Sequence, residues 1–128
     1  MDQDHTYHYG ILYLIHLIIS ADGIIDAGEL RALETIIETE GMDADIYRKF
    51  IEETGDMSEK EIFHRGIDLI STCSREQMVR AFGWLMKISE SDGHIHAKEI
   101  RFLLYSVKKA GIGFNEVVSE AKKLPAIP

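Results

Sequence analysis

Apolar residues recur at the spacing of an α-helix along most of the chain. In the segment 97–110, apolar side chains stand at positions i, i+3, i+4 and i+7 and share one helical face. These are Ile100, Leu103, Leu104 and Val107. No segment alternates strictly between apolar and polar residues, as a half-buried strand does. The pattern predicts an all-α, single-domain bundle of about seven helices, at residues 5–21, 27–40, 44–54, 59–73, 75–91, 97–110 and 114–124.

Start and stop signals support these boundaries. The segments Ser58–Glu61 and Ser74–Gln77 have the spacing of capping boxes, in which side chains satisfy backbone N–H groups at the start of a helix. Asp43 stands where it can cap the helix that begins at residue 44. Gly41 and Gly111 each follow a predicted helix, and glycine readily takes the left-handed conformation that ends helices.

Two helices are expected to form a central, buried pair. Residues 9–19 and 78–88 are apolar on most faces, which is typical of helices surrounded by others. His16 is expected to be a hydrogen-bonded core histidine, and Trp84 a core residue and not part of a ligand site. Cys73 is likewise expected to be a small core residue. In the helix 27–40, the residues predicted to be buried are Leu30, Leu33, Ile36 and Ile37.

The chain contains an internal repeat at an offset of 70 residues. Residues 21–31 align with residues 91–101, and 8 of the 20 positions from 22 to 41 are identical to their counterparts. Chance would give roughly one match. The predicted single domain, 1–128, therefore holds two related three-helix units at about 10–54 and 80–124. The helix 59–73 connects them.

Charge is distributed unevenly along the 128 residues. The first 64 residues carry 15 acidic and 4 basic side chains, whereas the remaining 64 carry 7 and 10. The overall net charge of −8 disfavours general nucleic-acid binding, which needs basic surface. Two ordinary solvated faces are the favoured interpretation of this asymmetry. The alternative is an acidic surface that docks a cationic partner or metal ions and includes Glu34, Glu38 and Glu40. The second half adds a modest basic patch near its C-terminal end.

Cysteine content and apolar run length bear on location. Cys73 is the single cysteine, so no disulfide can form within the chain, which fits a reducing cytoplasm. The longest apolar run, residues 11–19, is interrupted by His16 and is too short to span a bilayer, which takes about 20 residues. The acidic start of the chain does not resemble a secretion signal. A cytoplasmic location is expected.

The repeated segment contains an Asp-Gly turn that permits two interpretations. It is similar to the second half of a calcium-binding EF-hand loop, but Ile18 and Ile88 occupy the first ligand position. In the structural interpretation, Asp26 caps the next helix and Glu29 completes a capping box. In the functional interpretation, the turns gather a divalent cation, which would be calcium, magnesium, manganese or zinc. The candidate ligands are Asp22, Asp26 and Glu29 in the first copy and Asp92, His96 and Glu99 in the second.

The duplicated motif resembles that of the TerB-like family. The sequence Ala-Asp-Gly-x-Ile-Asp-x-x-Glu follows an apolar helix at residues 21–29, and the resemblance extends over roughly 10–124. It is also similar to the N-terminal domain of a membrane-anchored DnaJ-type co-chaperone. The resemblance implies an all-helical fold with two related halves and a non-enzymatic role in stress-response complexes near the membrane. It further implies divalent-metal binding through the acidic clusters, although His96 departs from the acidic pattern.

These features favour an interaction protein over an enzyme. The chain has no phosphate-binding glycine loop, no Gly-x-Ser-x-Gly and no His-Glu-x-x-His segment. We therefore expect a cytoplasmic interaction module whose protein partner is unidentified and which can associate with a membrane protein. A divalent-metal sensor or store is the alternative, and a metal-dependent hydrolase is a third hypothesis.

Overall fold

Seven α-helices account for most of the described chain. The computed structural model describes residues 3–19, 27–91, 97–106 and 111–127. Within them lie α1 (Gln3–Ile19), α2 (Ala27–Glu40), α3 (Ala44–Thr54), α4 (Glu59–Ser71), α5 (Arg75–Ser91), α6 (Ala97–Ser106) and α7 (Phe114–Lys123). Since no strand occurs in these ranges, the predicted all-α fold is confirmed. The predicted bounds of α2, α3 and α5 coincide with the observed ones.

Local capping explains where several helices begin and end. The Ser58 hydroxyl accepts a hydrogen bond from the Glu61 N–H at 3.1 Å, and the Glu61 carboxylate accepts one from the Ser58 N–H at 3.0 Å. The same reciprocal pair joins residues 74 and 77. Asp43 caps α3 by accepting from the Asp45 N–H at 3.1 Å. The turn after α2 has a glycine at φ 64°, and residue 111 takes φ 51°, as the predicted helix stops require.

The helices α1 and α5 are in contact, but each packs more extensively against another helix. The main partner of α1 is α4, and that of α5 is α7. Small residues permit both close approaches. A Cβ at Gly66 of α4 would lie 3.0 Å from the Tyr13 Cβ of α1, and one at Gly83 of α5 would lie 3.3 Å from the Ala121 nitrogen of α7. The predicted central pair is thus correct in burial and contact, while glycine placement gives each helix a closer neighbour.

The core is continuous and includes most of the residues expected there. Trp84 is fully buried and Cys73 is nearly so. Leu33 and Ile36 of α2 are buried as predicted, whereas Leu30 is 46% exposed and the prediction for it is wrong. Helical periodicity identifies an apolar face but not how far a neighbouring helix covers it.

His16 does not lie in the closed core. Its side chain is 24% exposed, with Nε2 3.6 Å from Glu59 Oε1. Its ring also packs in a T-shaped arrangement with the Phe50 ring, at a centroid distance of 6.0 Å. The expectation of a core histidine is therefore wrong in burial, because α1 turns this position toward the start of α4. Among the described helices, none is long and apolar enough to cross a membrane.

Candidate functional site

The residues predicted to bind metal lie largely outside the described chain. Asp22, Asp26, Asp92 and His96 belong to the undescribed segments 20–26 and 92–96. Glu29 and Glu99 fall in the first turns of α2 and α6, and their side chains lie outside the description as well. The metal site therefore stays a prediction. In the part of the chain that the structure describes, no group of three or more His, Cys, Asp or Glu side chains could hold a metal ion.

A partly buried ion pair, together with a tyrosine hydroxyl, joins three helices near the end of α2. Arg80 of α5 donates from Nε to both carboxylate oxygens of Glu40, at 2.9 and 2.8 Å. The Tyr7 hydroxyl of α1 donates to Glu40 Oε1 at 2.9 Å. The Glu40 side chain is 4% exposed and that of Arg80 is 37% exposed. Glu40 therefore belongs to an interhelical contact, and its predicted place on an acidic surface is wrong.

The surroundings of Glu40 raise the pKa of both groups that donate to it, the Tyr7 hydroxyl and the Arg80 guanidinium. Burial, reinforced by the charge of Glu40, raises the pKa of the Tyr7 hydroxyl well above its ordinary value. Burial alone would lower the pKa of Arg80, but the hydrogen bond and charge of Glu40 outweigh it and raise that pKa. The phenol therefore stays neutral and the guanidinium stays charged at neutral pH. The arrangement is a satisfied polar contact, since both carboxylate oxygens have donors.

Sequence reasoning missed this contact because its members are far apart in the chain. Forty residues separate Glu40 from Arg80, and 33 separate it from Tyr7. One signal was present: Arg80 interrupts the apolar segment 78–88. A charged residue in a helix that is otherwise buried needs a partner or an opening to solvent. The structure supplies both.

The opening is a groove between α5 and α7 with a volume of about 740 Å³. Tyr7 of α1 lines it, together with residues of α5 between 75 and 80 and residues of α7 between 115 and 123. At one end, Arg75 Nη2 lies 2.6 Å from Glu116 Oε1. The Gly113 N–H also donates to Glu116 at 2.8 Å. This backbone hydrogen bond, with Arg75 beside it, lowers the pKa of the Glu116 carboxyl.

A second surface feature is the outward face of α2. Leu30, Glu34 and Glu38 are exposed and are spaced four residues apart, so they follow one side of the helix. The helix buries Ile36 and makes limited contacts with α1 and α5. We call this set of three residues the α2 face. It retains two of the three carboxylates predicted to be surface residues and adds an exposed leucine.

Comparison with known proteins identifies the family. The sequence model of the family described as Tellurite resistance protein TerB matches residues 8–117. This chain belongs to the TerB family. No curated protein and no solved structure gives a significant match to it. The resemblance inferred from the duplicated Asp-Gly motif is thereby confirmed.

The matched segment contains the whole α2 face but only part of the groove between α5 and α7. The α2 face and both members of the Glu40–Arg80 ion pair lie inside residues 8–117. Ser119, Glu120 and Lys123, which line the far wall of the groove, lie beyond the matched segment. The groove is therefore built jointly from the TerB-matched segment, Tyr7 and the last turns of α7.

Proposed function

We propose that this TerB-family chain is a non-enzymatic interaction module that docks a cationic protein partner on the α2 face. The observation that carries the proposal is an exposed leucine on the same side of a helix as two exposed carboxylates. An apolar side chain in line with two carboxylates on one side of a helix suits a partner segment that is both apolar and basic. TerB is not known as a family of enzymes, which is consistent with a docking role.

The net charge of the N-terminal half of the chain supports the same partner chemistry. The first 64 residues carry a net charge of −11. Such a field speeds encounters with a basic partner and disfavours acidic ones such as nucleic acid. The family is described as Tellurite resistance protein TerB, and on that basis we place the chain's work in a stress response. We place that work in the cytoplasm, in a complex near the membrane that can include a membrane protein.

The test is a comparison of two charge-reversed forms of the full chain. One carries Glu34→Lys and Glu38→Lys, on the α2 face. The matched control carries Asp68→Lys and Glu90→Lys, which are exposed on α4 and α5. Glu40 is left unchanged because its loss would perturb the fold as well as the charge.

Proteins retained by each form are compared by quantitative mass spectrometry. We expect a partner that binds the parent chain and the control form but is lost from the α2 form. A third variant, Leu30→Ser, is expected to weaken the same partner without changing net charge. Retention of the same proteins by all forms would contradict docking on the α2 face.

A divalent-metal sensor or store is the second candidate function. The observation that favours it is the recurrence of the Asp-Gly motif between the first and second helices of both predicted units, after α1 and after α5. The proposed ligands remain Asp22, Asp26 and Glu29, with Asp92, His96 and Glu99 in the second copy. Calcium, magnesium, manganese and zinc are the ions to be tried.

Thermal unfolding of chelator-treated protein separates metal binding from helix capping. An ion at 100 times its dissociation constant stabilises the folded state by about 2.7 kcal/mol, which raises the melting temperature by several degrees. Metal binding predicts a shift that Glu29→Gln abolishes. Capping predicts no shift with any ion and a metal-independent loss of about 0.5–2 kcal/mol per cap removed.

A further inference from the structure

We propose that the α5–α7 groove binds a short polypeptide segment that carries an acidic side chain next to a basic one, with the carboxylate received by Arg80. This site is separate from the α2 face, so either proposal can fail alone. Its volume of about 740 Å³ is within the range of ligand pockets in proteins. It is open along the two helices, as an extended segment requires.

Arg80 is oriented for this role by the contact beneath it. Its Nε atom is held by both oxygens of Glu40, and the Glu40 carboxylate is fixed in turn by the Tyr7 hydroxyl. Within the described ranges, neither Nη group of Arg80 forms a hydrogen bond or ion pair. Two parallel N–H donors on a planar guanidinium match the geometry of a carboxylate. The side chain is 37% exposed, on the wall of the groove.

The opposite wall supplies further donors. Asn115, Ser119 and Lys123 are exposed, spaced four residues apart on α7, and all three line the groove. An amide, a hydroxyl and an ammonium can each donate to a carboxylate or to a peptide carbonyl. The wall therefore suits a peptide backbone as well as an acidic side chain.

The other carboxylates of the groove favour a ligand that also carries a basic side chain. Glu116 is engaged by Arg75 and by the Gly113 N–H. Glu76 and Glu120 form no ion pair within the described ranges, and the charge of Glu120 acts on Arg80. A doubly charged anion such as phosphate would be repelled by both carboxylates. A segment with one charge of each sign meets donors and acceptors together.

The probes are three capped pentapeptides added to the full chain. The first contains adjacent Glu and Lys residues among glycines, the second has Gln in place of Glu, and the third has Gln in place of Lys. Binding is followed by two-dimensional amide NMR, and inorganic phosphate is titrated separately. We expect the first peptide to shift the amide signals of Ser119 and its groove neighbours, with a dissociation constant of about 1 mM.

Two variants test whether Arg80 and α7 are the receiving groups. Arg80→Lys keeps a cation for Glu40 but loses the guanidinium fork, and we expect binding about tenfold weaker. Ser119→Asp adds a carboxylate to the opposite wall without changing the Glu40–Arg80 ion pair, and we expect binding to be lost. The matched control is Thr39→Asp, exposed on α2 and outside the groove, which should bind normally.

Three results would overturn the proposal. One is the absence of any groove shift with the first peptide at about 10 mM, which is about ten times the expected dissociation constant. Another is equal binding of the Gln-for-Glu peptide, because the carboxylate would then have no role. The last is tight binding of phosphate at the same amides, which would make the groove a site for a small anion.

Discussion

Replacing Glu40 with alanine tests the most consequential contact in the structure. The substitution removes the acceptor of the Tyr7 hydroxyl and the counter-ion of Arg80 at once. Both lost partners sit on other helices, so the change loosens the attachment of α2 to α1 and to α5. Removing an exposed glutamate would leave the Tyr7 and Arg80 contacts intact.

The magnitude follows from how buried each orphaned group is. Tyr7 is 6% exposed, so its hydroxyl loses a hydrogen bond to a charged acceptor, a change worth about 1.5–3 kcal/mol. Arg80 is 37% exposed and can regain water, which keeps its cost far below the 3–5 kcal/mol of a fully buried broken pair; we take about 1 kcal/mol. The sum is a loss of about 3 kcal/mol. That is a large share of a typical stability of 5–15 kcal/mol.

Urea unfolding followed by circular dichroism measures this loss. With a slope of about 2 kcal/mol per molar urea, the midpoint of Glu40→Ala should fall by about 1.5 M. Glu38→Ala, two residues earlier on the exposed side of α2, is the matched control and should change stability by less than about 0.5 kcal/mol. A double-mutant cycle with Arg80→Ala should give a coupling energy of about 1–3 kcal/mol.

The reasoning is refuted if Glu40→Ala and Glu38→Ala unfold at the same urea concentration. A coupling energy near zero in the cycle would likewise show that Glu40 and Arg80 do not interact in solution. Either result would support the original prediction that Glu40 is a surface carboxylate. The charge-reversal test of the α2 face would then have to include it.

Three further substitutions have defined outcomes. The pKa of the Tyr7 hydroxyl is raised above the ordinary 10.0, so the unfolded chain releases this proton first and folding stability is lost as pH rises above 10. Tyr7→Phe should reduce that loss by about 1.4 kcal/mol per pH unit in urea titrations above pH 10. Parallel curves of stability against pH for the two proteins would contradict this. Ser58→Ala removes the cap of α4 and should lower the free energy of unfolding by about 0.5–2 kcal/mol in urea. An unchanged urea midpoint would mean that the cap does not stabilise the fold. Gly66→Ala places a Cβ 3.0 Å from the Tyr13 Cβ, and a net loss of about 1 kcal/mol is expected after the gain in helix propensity; stabilisation would show that α1 and α4 can separate.

Features governed by local sequence were predictable, and those governed by distant contacts were not. The capping box at Ser58 and the left-handed glycine after α2 depend on residues a few positions apart, and the structure confirms both. The exposure of Leu30 depends on which neighbour covers α2, which periodicity does not encode. The Glu40–Arg80 contact depends on how α2 meets α5.

The candidate sites also differ in whether local sequence or distant contacts define them. The carboxylates of the Asp-Gly turns were identified from local motif and repeat alone, and they remain predictions because those residues lie outside the described chain. The α5–α7 groove could not be predicted, since its walls come from segments about forty residues apart that share no motif. Only the interruption of an apolar helix by Arg80 pointed toward it.

Photo-crosslinking from the α2 face tests the central claim, docking of a protein partner there, most directly. A photoreactive phenylalanine analogue replaces Glu34 on α2 in one form of the chain and Asp68 on α4 in the other, both at exposed positions. We predict a crosslinked protein from position 34 that is absent from position 68, and its attached segment should be basic. The absence of a crosslink from position 34, or the same product from both positions, would contradict docking on the α2 face.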